Sequence, residues 1–336
     1  MSETRYEHIQ TKTTLNRVKE EAMPFEWSIN PYRGCGHGCS FCYARAFQTF
    51  LGRSAEDEFQ FHISVKENAA EALERQLTAL ARKFAYDIEA VSRHVGQVAI
   101  GTATDPYQPV EAKEQITREC LKVLAKYRIH TSVTTRSPLV MRDIDILRKM
   151  PGVSVNISVN TLDAELIRKL EPASPHPGKR LATVKYLAEH GIPVGIFAAP
   201  VLPFLTDSEE GLDNLLRSAK EHGAGFAMIS LLRLSPDVKA WYFRTLQQHD
   251  PKLVSRYRAL YAGAYAEPWY TDRFKQMACA LLTKHGLDGS ETRGAQASSG
   301  IGTEVPAWRP GAVPQPTCTV SEREITPEVE QLSFPF

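Results

Sequence analysis

Three of the six cysteines in this 336-residue chain, Cys35, Cys39 and Cys42, fall inside one short stretch. It runs Asn30-Pro-Tyr-Arg-Gly-Cys35-Gly-His-Gly-Cys39-Ser-Phe-Cys42-Tyr-Ala-Arg45. Thiols this close cannot all be core residues of one regular element, and the glycines at 34, 36 and 38 free the backbone to wrap. Thiolates are ligands of iron–sulfur clusters and of zinc. Three thiolates on a cluster of four irons leave one iron open, where a substrate or cofactor can bind. Zinc asks for a fourth ligand, and His37 is awkwardly placed inside the tight loop to be one. Cys120, Cys279 and Cys318 are far apart and form no second group with cluster spacing. A tight group with scattered remainders reads as metal binding, not as a disulfide framework.

Such a loop needs a scaffold, and the apolar patterning supplies one. Strands are expected near 27–32, 97–102, 129–135, 153–160, 192–199 and 225–232, most of them short and almost continuously apolar. Helices are expected between them, at about 67–84, 112–127, 139–150, 178–190, 208–222 and 237–248. Gly191 and Gly223 stand where helix C-caps belong. Strand–helix alternation repeated about six times implies an α/β fold with a parallel sheet; periodicity does not say whether it closes. Residues 253–285 read as helical, with Tyr257, Tyr261 and Tyr265 on one packed face. From Asp288 the chain is rich in Gly, Ser, Pro and Thr and reads as a flexible tail. The expected divisions are an N-terminal extension (1–25), a core (26–235), a helical C-terminal extension (236–287) and the tail (288–336).

The spacing Cys35-x3-Cys39-x2-Cys42, with Phe41 just before the last cysteine, resembles the signature of the radical S-adenosylmethionine (SAM) enzymes. The resemblance extends over about residues 26–235 and implies a partial (β/α)6 TIM-like barrel. It implies a [4Fe–4S] cluster on the three cysteines, whose open iron takes the amino and carboxylate groups of S-adenosylmethionine. Reduction by a donor such as flavodoxin or ferredoxin cleaves the sulfonium, and the 5′-deoxyadenosyl radical abstracts a substrate hydrogen. Cofactor contacts are implied at Phe41, at Ser158 and Asn160 ending the fourth strand, and at Gly195 in the fifth. Thr102, Thr104 and Asp105 end the second strand and Arg136 follows the third, where a parallel barrel keeps its active site.

Asn-Pro-Tyr-Arg-Gly-Cys35, Thr104-Asp-Pro-Tyr-Gln-Pro-Val-Glu111 and Thr135-Arg-Ser-Pro-Leu-Val-Met-Arg-Asp143 resemble the spore photoproduct lyase-related branch, which repairs a thymine dimer in DNA. Tyr43 matches a tyrosine that relays the radical there. A second relay tyrosine falls at Phe41, which has no hydroxyl. The hydrogen-donor cysteine belongs near the end of the second strand, and Gly101-Thr-Ala-Thr-Asp105 contains none. Cys120, on the apolar face of a helix, reads as a core residue. The cofactor chemistry therefore carries over better than the photoproduct reaction.

A net charge of +1 neither requires nor excludes nucleic acid, since a basic patch can hide within it. Candidate DNA contacts are Arg45, Arg53, Arg136, Arg142 and Lys179, with Trp241 and Trp269 for stacking. No apolar run is long enough to span a membrane, and the polar start lacks a signal core, so a cytoplasmic address is expected. The last residues, Gln331-Leu332-Ser-Phe334-Pro-Phe336, resemble the bacterial sliding-clamp-binding peptide, an extended segment whose apolar side chains fill a groove. Three functions remain open: a radical SAM enzyme on damaged DNA, one acting on RNA, protein or a small molecule, and a non-catalytic iron–sulfur protein that recruits partners.

Overall fold

The computed structural model describes residues 3–19 and 23–289. Its strands are β1 (Arg5–Ile9), β2 (Asn16–Arg17), β3 (Trp27–Ile29), β4 (Tyr32–Arg33), β5 (His62–Lys66), β6 (Gln97–Ile100), β7 (His130–Thr135), β8 (Ser154–Ser158), β9 (Val194–Val201) and β10 (Phe226–Leu231). β3, β6, β7, β8, β9 and β10 pair side by side in that order, every pair parallel, and β2 adds antiparallel outside β3. These are the six strands expected from the apolar runs. β10 and β2 are the two edges of the sheet and do not pair with each other, so the barrel is incomplete.

The crossover helices are amphipathic and lay their apolar stripes on the sheet. The helix Ala69–Lys83 buries Ala69, Ala72, Leu73, Leu77 and Ala81, the spacing of one helical face. In Ile116–Lys126 the buried residues are Ile116, Thr117, Cys120, Leu121 and Leu124, so Cys120 is a core residue as expected. Pro177–Glu189 and Glu209–Glu221 end at Gly191 and Gly223, whose φ values of +74° and +86° let the chain leave in the left-handed conformation. The stretch expected as one helix at 139–150 is a 3-10 turn, Pro138–Asp143, followed by a single α-turn, Ile144–Leu147.

A second sheet, in the order β1-β5-β4, was not expected. β4 immediately precedes the cysteines and pairs antiparallel with β5, so this sheet braces the start of the cysteine loop. Residues 5–17 are woven into both sheets, with Gln76 Oε1 accepting from the amides of Thr14 and Leu15 at 2.8 and 2.9 Å.

Beyond β10 lie three helices, Pro236–His249, Pro251–Leu260 and Pro268–Lys284. Tyr257 and Tyr261 are buried and stack at 5.9 Å, but the second helix stops at Leu260, so Tyr265 leaves that face and is exposed. Phe41, Leu170, Leu202, Leu232, Tyr242 and Tyr257 share one apolar cluster. The helices after the barrel thus form the wall against which the cysteine loop and the ends of β9 and β10 pack.

Candidate active site

The cysteine loop hangs at the C-terminal ends of the parallel strands and is held there by side chains of its neighbours. Asn30 ends β3, donates to Thr102 Oγ1 at 2.9 Å and accepts from the Ala103 amide at 2.8 Å, tying the mouths of β3 and β6 together. Thr104 Oγ1 donates to Gly34 O at 2.6 Å, and Gln108 accepts from the Gly36 amide at 2.9 Å. Gly34, with φ +77°, leaves no room for a Cβ, which would lie 2.8 Å from His62 O and 2.9 Å from Phe59 O. The other side of the loop is fixed by Arg45, which is 1% exposed. Its guanidinium donates to Cys39 O and Gly38 O at 2.7 Å each and to Ala55 O and Glu56 O at 3.0 and 2.7 Å. Phe59 and Trp241 each lie 4.9 Å from that guanidinium.

Two charged groups stand against the loop. Asp105 accepts from the Tyr107 amide (2.8 Å), the Thr135 hydroxyl (2.6 Å) and the Arg136 amide (2.9 Å), with His37 Nε2 at 3.2 Å. Burial works to raise its pKa, but the imidazole and these donors outweigh burial and hold it at about 2. Arg136 Nη1 donates to Cys39 Sγ at 2.9 Å and to Glu171 Oε2 at 2.7 Å. The same carboxylate oxygen accepts from Arg180 at 2.6 Å, and Arg180 also reaches Ser158 O at 3.1 Å. Burial alone pushes Glu171 up; the two guanidinia bring it below the usual carboxylate range. Burial pushes the Cys39 thiol up to about 12, against the pull of Arg136, and raises Cys35 and Cys42 as well.

The expected site residues separate into groups. Cys35, Cys39 and Cys42 are free thiols in one loop. Among the described residues no three His, Cys, Asp or Glu side chains converge on a single metal ion. A cluster takes each thiolate on a different iron, so its thiolates stand farther apart than the ligands of a single zinc ion. Tyr43 is 54% exposed, and its hydroxyl donates to Thr102 O at the mouth of β6. Ser158 ends β8, and buried Asn160 beyond it donates to Pro200 O at 3.2 Å while its Oδ1 has no partner. Phe41 is buried in the apolar cluster behind the loop. Gly195 lies inside a strand, not at its end. It is the second residue of β9, in register with Asn156 of β8, two residues before Ser158, and with Phe226, the first residue of β10. At about 3.3 Å per residue it stands roughly 7 Å below the level of Ser158. It is glycine because the Phe226 ring fills the space a Cβ would take.

Several of the candidate DNA contacts are engaged within the protein. Arg45 and Arg136 are committed inside the protein, Arg53 pairs with Glu7 at 2.5 Å, and Trp241 is spent on Arg45. Arg142 pairs with Glu111 and Asp143 at 2.7 and 2.8 Å. Both carboxylates are fully buried, Tyr32 donates to Glu111, and Tyr107 donates to Asp143 at 3.0 Å. The phrases Thr104–Glu111 and Thr135–Asp143 are therefore welded to each other beside the mouth. Lys179 and Trp269 are exposed. Gln331, Leu332, Phe334 and Phe336 lie outside the described residues. Sequence reasoning assigned no role to Asn30 and Gln108, although both stand within the quoted phrases. It missed Glu171 and Arg180 altogether, which no local pattern marks.

A family model described as the radical SAM superfamily matches residues 29–216, more than half of the chain. The chain belongs to the radical SAM superfamily. Enzymes of this superfamily use a [4Fe–4S] cluster and S-adenosylmethionine, and these are the chain's cofactors; a reductant is needed to drive them. An uncharacterized protein of Mycobacterium tuberculosis is 33% identical over 290 residues, 84% of this chain and 82% of the relative. Another, from Methanocaldococcus jannaschii, is 29% identical over 202 residues, 60% of this chain and 69% of the relative. Among solved structures, a spore photoproduct lyase complexed with dinucleoside spore photoproduct superposes with a TM-score of 0.60 at 16% identity, over 83% of this chain and 79% of the lyase. A lyase variant with bound AdoMet and the same dinucleoside gives 0.59 at 17% identity, over 83% and 78%. At that identity the match speaks for the fold, a radical SAM partial barrel. No helix among the described residues is long and apolar enough to cross a membrane.

Proposed function

We propose that Cys35, Cys39 and Cys42 hold the [4Fe–4S] cluster and that this radical SAM enzyme acts on a nucleotide of damaged DNA. When bound, the reduced cluster and S-adenosylmethionine supply the 5′-deoxyadenosyl radical that abstracts a substrate hydrogen. The observation that carries the reading is the cysteine loop itself: three free thiols at the mouth of a partial barrel, with the Arg136 guanidinium 2.9 Å from Cys39 Sγ. Arg136 offsets negative charge on the thiolates, and Glu171 with Arg180 fixes its orientation. Ser158 and the unpartnered Oδ1 of Asn160 are the polar groups offered to S-adenosylmethionine at the β8 end. Thr104 and Asp105 are positioning residues for the loop, since their side chains are taken up by Gly34, Gln108, Thr135 and Arg136. Thr102 joins them, and Phe41 anchors the loop from behind. Damaged DNA is favoured by the fold shared with spore photoproduct lyase and by the phrases around the mouth.

A second reading, a radical enzyme on RNA, protein or a small molecule, is favoured by one feature. No thiol lies in Gly101–Asp105, so the hydrogen donor of the lyase has no counterpart there. Tyr43, exposed beside Thr102 O, is the group placed to relay a hydrogen atom. Anaerobic reconstitution with iron and sulfide, then dithionite and S-adenosylmethionine, tests both readings through 5′-deoxyadenosine. The wild type should produce it and the triple Cys35→Ala, Cys39→Ala, Cys42→Ala variant should not. Ultraviolet-irradiated DNA should raise the rate and undergo repair. Zinc in place of iron, with no cluster after reconstitution, would sink the assignment; cleavage indifferent to DNA would move it to the second reading.

A further inference from the structure

The mouth of the barrel carries a shelf of aromatic rings and arginines on the side away from β6. Arg233, just past β10, lies with its guanidinium 5.0 Å from the ring of Tyr265. Phe204, just past β9, lies 3.9 Å beneath the guanidinium of Arg256 and 5.8 Å from the Tyr270 ring, and Trp269 meets Tyr270 at 5.5 Å. The Leu234 amide donates to Ala264 O at 2.8 Å, joining the two halves. Tyr265 and Trp269 are 65% and 64% exposed. Two large rings this open within five residues of chain are the kind of exposed apolar surface that partners use. Phe204 has φ +66°, a conformation that costs a bulky residue energy and is kept where function or packing demands it. No carboxylate lies within ion-pair distance of Arg233 or Arg256 among the described residues. One acidic group does touch the shelf, Asp207, which accepts from the Tyr270 hydroxyl.

We propose that this shelf stacks unpaired bases of a single-stranded polynucleotide, with Arg233 and Arg256 taking its phosphates; this rests on the reading of a nucleic-acid substrate given above. Open π-faces suit bases of any sequence, and a guanidinium lying on a ring leaves its N–H edge free for phosphate oxygens. An enzyme that must reach a hydrogen of a base in a duplex takes that nucleotide out of the stack, and the strand beside it then needs a new platform. The shelf follows the ends of β9 and β10, at the end of the barrel that holds the cysteine loop.

The test is anisotropy of short labelled oligonucleotides with the reconstituted holoprotein, DNA and RNA, single-stranded and duplex, at two salt concentrations. Trp269→Ala should weaken single-strand binding about tenfold, and Trp269→Phe should restore most of it. Arg233→Gln and Arg256→Gln should each flatten the salt dependence by about 0.7 in the log–log slope. DNA bound in preference to RNA assigns the strand to the proposed substrate; RNA in preference keeps the shelf and moves the substrate. Wild-type and variant proteins binding single strands equally overturns the shelf and leaves the substrate reading standing. Equal affinity for an acidic peptide overturns it too, in favour of a protein partner. Wild type that binds no oligonucleotide, single or double, ends the substrate reading and the shelf with it.

Discussion

At the scale of single residues, the chain's own chemistry at the cysteines is a matter of buried charge. Glu171 is shared by Arg136 and Arg180, and all three are inside the protein. Removing one partner of a buried ion pair leaves a charge with nothing to balance it, which costs about 3–5 kcal/mol. Glu171→Ala strands two guanidinia, so it should lower the unfolding free energy of the cluster-free chain by about that much in urea. The same variant should also slow deoxyadenosine formation, because Arg136 loses the group that aims it at Cys39. Unchanged stability would mean that the guanidinia find other partners. The contrast with the thiols shows what a sequence can disclose. Cys35, Cys39 and Cys42 announce themselves because their relation is a spacing along the chain. Arg136, Glu171 and Arg180 meet only after a strand end and two helices are in place, and no spacing records it. Gln108 sits inside a quoted phrase, yet its clamp on Gly34 and Gly36 needs the fold to be seen.

At the scale of elements, the six strands were legible because most are buried on both faces and nearly continuously apolar, although β7, His130-Thr-Ser-Val-Thr-Thr135, fully buries only alternate residues. The sheet β1-β5-β4 was not: β1 is mostly exposed, and β5, His62-Ile-Ser-Val-Lys66, is too short for a period to separate it from neighbouring helices. Gly195 could not be read from sequence alone, because a glycine spared for packing and one spared for a ligand look alike. Gly195→Ala should destabilise the fold by about 1–3 kcal/mol, since its Cβ meets Phe226, and leave binding of S-adenosylmethionine by the folded fraction unchanged. Weakened cofactor binding at full folding would assign Gly195 to the cofactor site. The unexpected sheet also carries a pH signature. Lys66 in β5 donates to Asn30 O at 2.7 Å, and burial pushes its pKa down to about 8. An unfolded lysine titrates near 10.4, so between those values the unfolded chain holds the extra proton and stability rises with pH. Below about pH 8 both states are charged, and the cost of the buried ammonium is constant. Relative to Lys66→Met, the wild type should gain stability on going from pH 8 to pH 10, as read by urea titration. A difference that stays flat over that window would show the ammonium is solvated.

At the scale of the whole molecule, the helices after β10 are as much a part of the site as the barrel is. Pro236–His249 lays Trp241 over Arg45, and Arg244 reaches Glu56 at 2.8 and 2.5 Å. Arg45 in turn holds the carbonyls of Gly38 and Cys39. The path from the far helix to the cysteines is therefore ring, guanidinium, backbone, with no solvent layer at Arg45. Trp241→Ala removes the ring and opens Arg45 to water, costing about 1–2 kcal/mol from the lost cation–π contact and packing. Water at Arg45 competes for its bonds to the loop carbonyls, so the loop should loosen even while the barrel stays folded. The expected outcome is several-fold faster release of iron to a ferrous chelator under anaerobic conditions, with the visible absorbance of the cluster lost in step. Trp269→Ala, on the exposed shelf, should leave that rate where it was and so separates a local shield from a general loss of stability. Iron release from Trp241→Ala as slow as from the wild type would mean that the barrel alone retains the cluster and that the helices serve the substrate side only.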